Sequence, residues 1–384
     1  MKKRILSVVV LGACASAAHA QSSVTLYGLV DAGVNYVNND KGKSNFLMTS
    51  GVVQGNRWGL KGVEDLGDGL KAIFQLENGF SLSNGTLGQG GRLFGRQAWV
   101  GLSKNTLGGL TFGRQYDSIV DYVQPTSGIP YTAIASPFDN DNLDNDFRIN
   151  NTVKYASPDF HGLKFGGLYG FSNSASTGAA DSGFSVNRLW SLGASYTTGS
   201  FYFGAGYMHL NSPNSNTLGA VSGDYINVTR TSALQANGLA TAVTRSNVVA
   251  AGGTYSFNGG KVGVVYSHSE FDSATDRLTF NNFEVNGSYY ITPAFSLAGI
   301  YTFTDGKLRS TDASPKYHQF QLMADYLLSK RTDVYILGVY QRAAGDATVA
   351  SIAPDSFGAG GSSAPDASTS KNQVLVRLGL RHKF

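Results

Sequence analysis

Three features predict an all-β chain that closes on itself as a transmembrane, sixteen-stranded, antiparallel, up-and-down β-barrel. The first is alternation. About sixteen segments switch between apolar and polar residues with a period of two, as strands with one oily and one wet face must. The second is the connections. Short turns alternate with long loops, the asymmetry of a barrel with one plain rim and one elaborated rim. The third is the terminal segment from Gln373 to Phe384. Val374, Val376, Leu378, Leu380, His382 and Phe384 share one face, and Gln373, Arg377, Gly379, Arg381 and Lys383 share the other. Left open, such a strand is a sticky edge; paired with the first strand, it closes a ring that has no edge.

The elements follow in order. Residues 1–20 read as a cleaved secretory signal: basic Lys2, Lys3 and Arg4, an apolar run from Ile5 to Cys14, and a small-residue site at Ala18-His19-Ala20. Leu11-Gly12-Ala13-Cys14 offers a competing lipoprotein signal, but the Ala18/Ala20 site is the better formed. Residues 21–384 are then one barrel. Its first strand, from Val24 to about Tyr36, sets Leu26, Gly28, Val30 and Ala32 against Thr25, Tyr27 and Asp31. Asn38 to Ser50 reads as a long loop. The second strand, about Val52 to Glu64, opposes Trp58 and Leu60 to Arg57 and Lys61, and the third opposes Ala72, Phe74 and Leu76 to Lys71, Gln75 and Glu77. Arg92 to Ser103 and Gly109 to Asp117 are the fourth and fifth. Eleven more run from Asn150 to the terminal strand, with Asp272 to Thr279 and Asp305 to Pro315 read as long loops.

Sixteen strands enclose a lumen too wide for side chains to fill, so water fills it. The connection at about residues 119–149 is expected to narrow it. It carries Pro125, Pro130, Pro137, Tyr122, Tyr131 and Phe138, more apolar content than a solvated loop needs. Folding inward and packing on the wall would use that content.

Composition removes other classes. The single cysteine is Cys14, inside the signal, so disulfides and thiolate metal sites are excluded from the mature chain. Taking Lys2, Lys3 and Arg4 from the 30 basic residues leaves 27 against 26 acidic ones, which is no footprint for nucleic acid. No run after the signal is long and apolar enough for a membrane helix. Ser267-His268-Ser269-Glu270 has the residue types of a hydrolytic site, but neighbours on a strand point to opposite faces and cannot converge. The acidic run from Asp139 to Asp146 resembles a calcium loop, yet Leu143 and Asp144 stand where that motif needs a ligand and a glycine. No catalytic residue, metal or cofactor is expected.

Several stretches carry a family resemblance across the whole mature chain. They are Ser23-Val24-Thr25-Leu26-Tyr27-Gly28, the long run from Arg57-Trp58-Gly59-Leu60-Lys61 through Leu70-Lys71-Ala72, and Gly95-Arg96-Gln97-Ala98-Trp99-Val100-Gly101-Leu102. Phe112-Gly113-Arg114-Gln115, Asn151-Thr152-Val153-Lys154-Tyr155 and the terminal Phe384 add to them. The chain resembles the trimeric general porins of Gram-negative outer membranes, especially the beta-proteobacterial type of Neisseria, Bordetella and Burkholderia. That resemblance implies a homotrimer among outer-membrane lipid and lipopolysaccharide, passing ions and small hydrophilic solutes by passive diffusion with a mild anion preference. It also implies a constriction where the third loop faces a ladder of basic wall residues. Carried over by position, the ladder is Arg57, Arg96 and Arg148, joined by Lys61 on the face of Arg57 and by Lys154. Asp117, Asp121, Asp139 and Asp141 are the candidates for the acidic loop side, with no choice among them. Alternation supports the placement. Trp58 and Leu60 turned to lipid leave Arg57 and Lys61 facing water, and Trp99 read as lipid-facing sets Arg96 inward. A charge left facing lipid at mid-depth costs about 2–4 kcal/mol. Arg114 shares the face of Phe112 and is expected at a subunit interface. The loop lacks the Pro-Glu-Phe-Gly-Gly pattern of enterobacterial porins, which leaves its path open. Two alternatives stand beside the general pore: a substrate-selective channel with the same wall, and a surface adhesin or receptor barrel resting on the long loops.

Overall fold

With one exception, consecutive strands pair with each other, as hairpin-connected alternating segments should. The computed structural model describes residues 22–132, 134, 137–145, 147–178, 182–223, 225, 234, 237–239, 241–352 and 365–384. The expected signal, residues 1–20, lies outside them. The strands are β1 (Ser23–Asp40), β2 (Lys43–Ser50), β3 (Arg57–Gly67), β4 (Leu70–Gly79), β5 (Gln97–Lys104), β6 (Gly108–Gln115), β7 (Ile149–Ala156), β8 (Leu163–Gly170) and β9 (Arg188–Thr198). Then come β10 (Phe201–Asn211), β11 (Val243–Phe257), β12 (Gly260–Ser273), β13 (Arg277–Thr292), β14 (Phe295–Leu308), β15 (Pro315–Leu327), β16 (Thr332–Gly345) and β17 (Asn372–Lys383). These seventeen segments form one sheet. β2 and β3 both pair with the long β1, β3 with its first half and β2 with its second, so together they make one stave and the barrel has sixteen.

The ring closes where the terminal strand meets the first. β17 pairs with β1 from Leu29↔Lys383 to Val37↔Leu375. Gly28 and Phe384 exchange two backbone hydrogen bonds, N–H to O, of 2.9 and 3.0 Å. The Phe384 ring lies over Gly28, where a Cβ would fall within 2.2 Å of it.

Alternation sorts the side chains as read. Leu26, Phe203, Leu322 and Leu378 point outward and are exposed, a continuous apolar skin that only lipid satisfies. Aromatic rings mark its two borders. Phe201, Tyr255, Phe257 and Tyr289 run beside the short turns. Trp190 with Tyr207, Tyr266 with Phe283, and Tyr301 with Phe320 lie nearer the long loops. Ser267 and Ser269 point into the lumen, while His268 points out and meets Asn281 at 2.9 Å, so that group does not converge.

Three readings need correction. Asn38 to Ser50 is not a long loop: β1 runs to Asp40, a tight turn at Lys41-Gly42 follows, and β2 returns with Phe46 and Met48 facing outward. The predicted loop at 272–279 is mostly strand and that at 305–315 partly so, because β12 to β15 run past the apolar band. Trp99 faces the lumen. Ala98, Val100 and Leu102 supply the lipid face of β5, with Val100 paired to Phe74 and Phe112, which leaves Gln97 and Trp99 on the wet side. The indole N–H donates to Gln97 Oε1 at 2.9 Å. Arg96 still reaches the lumen, because it precedes the strand in a bend and escapes its alternation.

Between β2 and β3, residues 51–56 leave the wall and fold inward. Backbone N–H groups of Val53 and Gln54 donate to Asp31 Oδ2 at 2.9 and 3.1 Å, and Asp31 N–H donates to Asn56 Oδ1 at 2.6 Å. Beneath this segment Asp31 and Arg377 are fully buried and paired at 2.9 Å. Tyr335 donates to Asp31 and accepts from Arg377, while Asn35 and Thr49 accept from the same guanidinium. Val52 and Val53 pack in a small apolar cluster with Ile134, Tyr335, Leu337, Ile352 and Leu375.

Candidate functional site

The connection between β6 and β7, residues 116–148, lies inside the barrel. Asp117 starts a short helix, α1 (Ser118–Tyr122), by accepting from the N–H groups of Ile119 and Val120. A 3-10 turn at Gln124–Thr126 and a second short helix, α2 (Ile129–Thr132), follow. The loop is anchored strand by strand along one wall. Ser118 N–H donates to Ser191 Oγ at 3.1 Å, and the Tyr202 hydroxyl to Tyr122 O at 2.9 Å. Lys261 Nζ donates to Pro125 O at 2.9 Å, and Asn286 Nδ2 to Thr126 O at 3.0 Å. Gly128 N–H donates to Glu284 Oε1 at 2.6 Å, and Gln321 donates to Ile134 O. Missing side chains on the wall make the fit possible. A Cβ on Gly204 would fall 1.9 Å from Tyr122 O, and one on Gly252 would fall 2.1 Å from Thr126 Oγ1.

Facing the loop across the water path is the wall of β3, β4 and β5. The structure gathers Arg57, Arg96 and Arg148 there around two residues outside the predicted set, Glu77 and Tyr116. Arg96 Nε meets Glu77 Oε1 at 2.7 Å, and Arg57 Nε lies 4.0 Å from Glu77 Oε2. The Tyr116 hydroxyl accepts from Arg96 and donates to Glu77, both at 3.2 Å. Arg148 lies over the Tyr116 ring, 5.7 Å from its centroid. One rung towards the short turns, Lys61 sits 5.5 Å from the centre of the Tyr27 ring, and the Tyr27 hydroxyl donates to Glu77 at 2.8 Å. Arg57 and Arg96 thus share the Glu77 carboxylate, with Arg148 and Lys61 on the tyrosine rings that bond to it. Glu77 was legible as lumen-facing from its alternation with Leu76, but nothing local marks it as the partner of Arg96, nineteen residues on.

The other predicted residues are distributed differently. Lys154 is ion-paired with Asp121 and also donates to Tyr116 O at 2.9 Å, so these two lie together at the base of the loop. Asp117 does not face the arginines: it caps α1 and accepts from Asn142 Nδ2 at 2.6 Å. Burial pushes its carboxyl up to about 6, against the pull of its hydrogen bonds to Ile119, Asn142 and Val120. Burial also raises Asp121, and the Lys154 ammonium opposes that. Asp139 folds back on its own loop, accepting from the Asp144 N–H at 2.8 Å. Asp141 accepts from Ser267 and from Asn282 Nδ2, the latter at 3.2 Å, which pins the loop to β12 and β13. Of the four acids, Asp121 pairs with a predicted basic residue, Lys154. Arg114 turns away from the lumen and holds the ends of two connections, donating to Gly95 O at 2.7 Å and Arg148 O at 3.1 Å.

A family model described as "Gram-negative porin" matches residues 7–347. An outer membrane porin protein of Bordetella pertussis is 34% identical, covering 89% of this chain and 94% of that relative. Outer membrane porin protein 32 of Delftia acidovorans is 30% identical over the full length of both. Among solved structures, one titled as the anion-selective porin from Comamonas acidovorans superposes with a TM-score of 0.74 at 26% identity, covering 95% of this chain and all of that one. With a closed sixteen-stave wall, an apolar outer skin and a loop folded into a polar lumen, these likenesses establish that the chain belongs to the Gram-negative porins, the channel-forming barrels of the outer membrane.

Proposed function

We propose that this porin is a homotrimeric, passively conducting pore with a mild preference for anions, set where residues 116–148 face Arg57, Arg96, Arg148 and Lys61. The observation that supports the reading is the gathering of basic side chains on that wall: Arg57 and Arg96 beside Glu77, Arg148 on the Tyr116 ring and Lys61 on the Tyr27 ring. In a water-filled lumen a unit charge about 6 Å from a passing ion is worth about 0.7 kcal/mol, roughly a threefold bias. Opposite-facing loop and wall also set up a field across the path that favours polar solutes. The Comamonas relative, titled anion-selective, supports the same sign. The reading includes export with removal of residues 1–20, a lipid and lipopolysaccharide surround, and no catalytic step.

Planar-bilayer recording tests it. Conductance steps in threes and a reversal potential of anion-preferring sign in a salt gradient are expected. Replacing Arg57, Arg96 and Arg148 together by Ala is expected to lower the chloride-to-potassium permeability ratio at least severalfold, since each charge contributes roughly threefold. An unchanged reversal potential would refute their placement in the path. Saturation of the current by one solute would favour the substrate-selective channel, and absence of any conductance would favour the adhesin.

A further inference from the structure

The lumen-facing indole of Trp99 belongs to no part of the selectivity reading above. A tryptophan on the wet face of a barrel strand meets water where a lipid-facing one would meet hydrocarbon, so its place calls for an explanation. Its surroundings are those of a binding shelf. Register sets Lys61, Gln75 and Trp99 on one rung across β3, β4 and β5, and Trp99 is followed on β6 by Gly113, which has no side chain to cover the ring. The indole N–H is held by Gln97, which fixes the ring's orientation. Gln75 donates to the Tyr27 hydroxyl at 2.6 Å, keeping the amide off the indole. On the same rung, Lys61 has no carboxylate partner among the described residues and rests on the Tyr27 ring. Arg57 lies two rungs beyond, about 13 Å along β3. Adjacent strands are about 4.8 Å apart, so Lys61 and Trp99 are separated by about 10 Å, roughly the reach of a one-ring carboxylate with its counter-charge.

We infer that Trp99, with Lys61, forms a weak lumen site for small aromatic carboxylates, the ring stacking on the indole and the carboxylate meeting the ammonium. The inference rests on the anion-passing reading proposed above and names a solute class for it. Stacking on an aromatic face adds to what charge alone provides, so an aromatic acid should outbind a saturated acid of equal charge and similar size by about 2–10-fold. The site stays weak by design of its exposure: a solute that bound tightly would block the channel.

The test uses the full-length pore in a planar bilayer with chloride as the current carrier. Benzoate and cyclohexanecarboxylate are added in turn, and the concentration that halves the chloride current is read for each. Benzoate is expected to act at a severalfold lower concentration. Trp99→Leu should bring the two values together, and Trp58→Leu, on the lipid face, should leave them apart. Equal values in the unaltered protein, or a difference that persists in Trp99→Leu, would overturn the inference. A second measurement does not depend on that variant folding. In the Trp58→Phe/Trp190→Phe protein only Trp99 emits; iodide should quench it, and benzoate should protect it better than cyclohexanecarboxylate. No protection overturns the inference. Absence of any anion preference in the reversal potential would instead strike the reading beneath it, so the two failures are distinguishable.

Discussion

Asp31→Ala is expected to destabilise the barrel by about 3–5 kcal/mol, the cost of leaving a buried guanidinium without its counter-charge. Arg377 is fully buried, and Asp31 is its only carboxylate partner among the described residues. The same carboxylate also receives the N–H groups of Val53 and Gln54, so its loss would release residues 51–56 from the lumen wall. The measurement is the urea concentration, or the temperature in detergent, at which the folded barrel gives way. Tyr335→Phe is the control. It removes one hydroxyl from the network and should cost about 1 kcal/mol. If Asp31→Ala unfolds no more readily than Tyr335→Phe, the pair contributes nothing and this account of the inward segment is wrong.

Gly204→Val should be nearly as costly, and it acts on the path itself. No conformer of a side chain avoids the clash, because the atom in the way is a backbone carbonyl, Tyr122 O, 1.9 Å from the Cβ position. Overpacking of this kind typically costs about 1–3 kcal/mol. The loop has the wall behind it and water in front, so it yields towards the Arg57 side and the unitary conductance falls. Ala205→Val, one residue on and facing lipid, carries the same extra methyl groups away from the loop and should leave the conductance as it was. Equal currents from both variants and the parent would mean that the loop does not rest on β10.

Much of this wall was legible because lipid on one side and water on the other impose a period of two on every stave, and apolar residues then report the facing directly. That is why Phe201, Phe203, Leu322 and Leu378 fall where alternation puts them. The readings that failed did so for physical reasons. Trp99 looked like lipid-facing surface because tryptophan is large and apolar, but Val100 and Leu102 are the residues that fix the face of β5. The stretch from Lys43 to Ser50 looked like loop because its polar residues and the Lys41-Gly42 turn dominate; Phe46 and Met48, alternating outward, were the signal of a strand. The arginine ladder is carried over by position from the family resemblance; alternation supports Arg57 on β3, whereas Arg96 lies in a bend that alternation does not govern. Its acidic partner could not be placed. Asp117 caps its helix, and Asp139 and Asp141 also bond within the loop and to the wall, while Glu77 comes from a strand forty residues before Asp117. Pairings of that kind are decided by the closed ring, and no window of sequence contains them.

The Asp31–Arg377 pair joins the two strands that must find each other last, and its position makes it a check on alignment. A slip of one residue between β1 and β17 would turn Arg377 out into hydrocarbon, at about 2–4 kcal/mol. A slip of two that moved Arg377 further along β1 from Asp31 would keep it inside but add about 7 Å to their offset. Closure one residue out of frame is therefore penalised by the same arginine that anchors the seam, and the frame that buries it beside Asp31 is the one in which a chain folding within a membrane can come to rest.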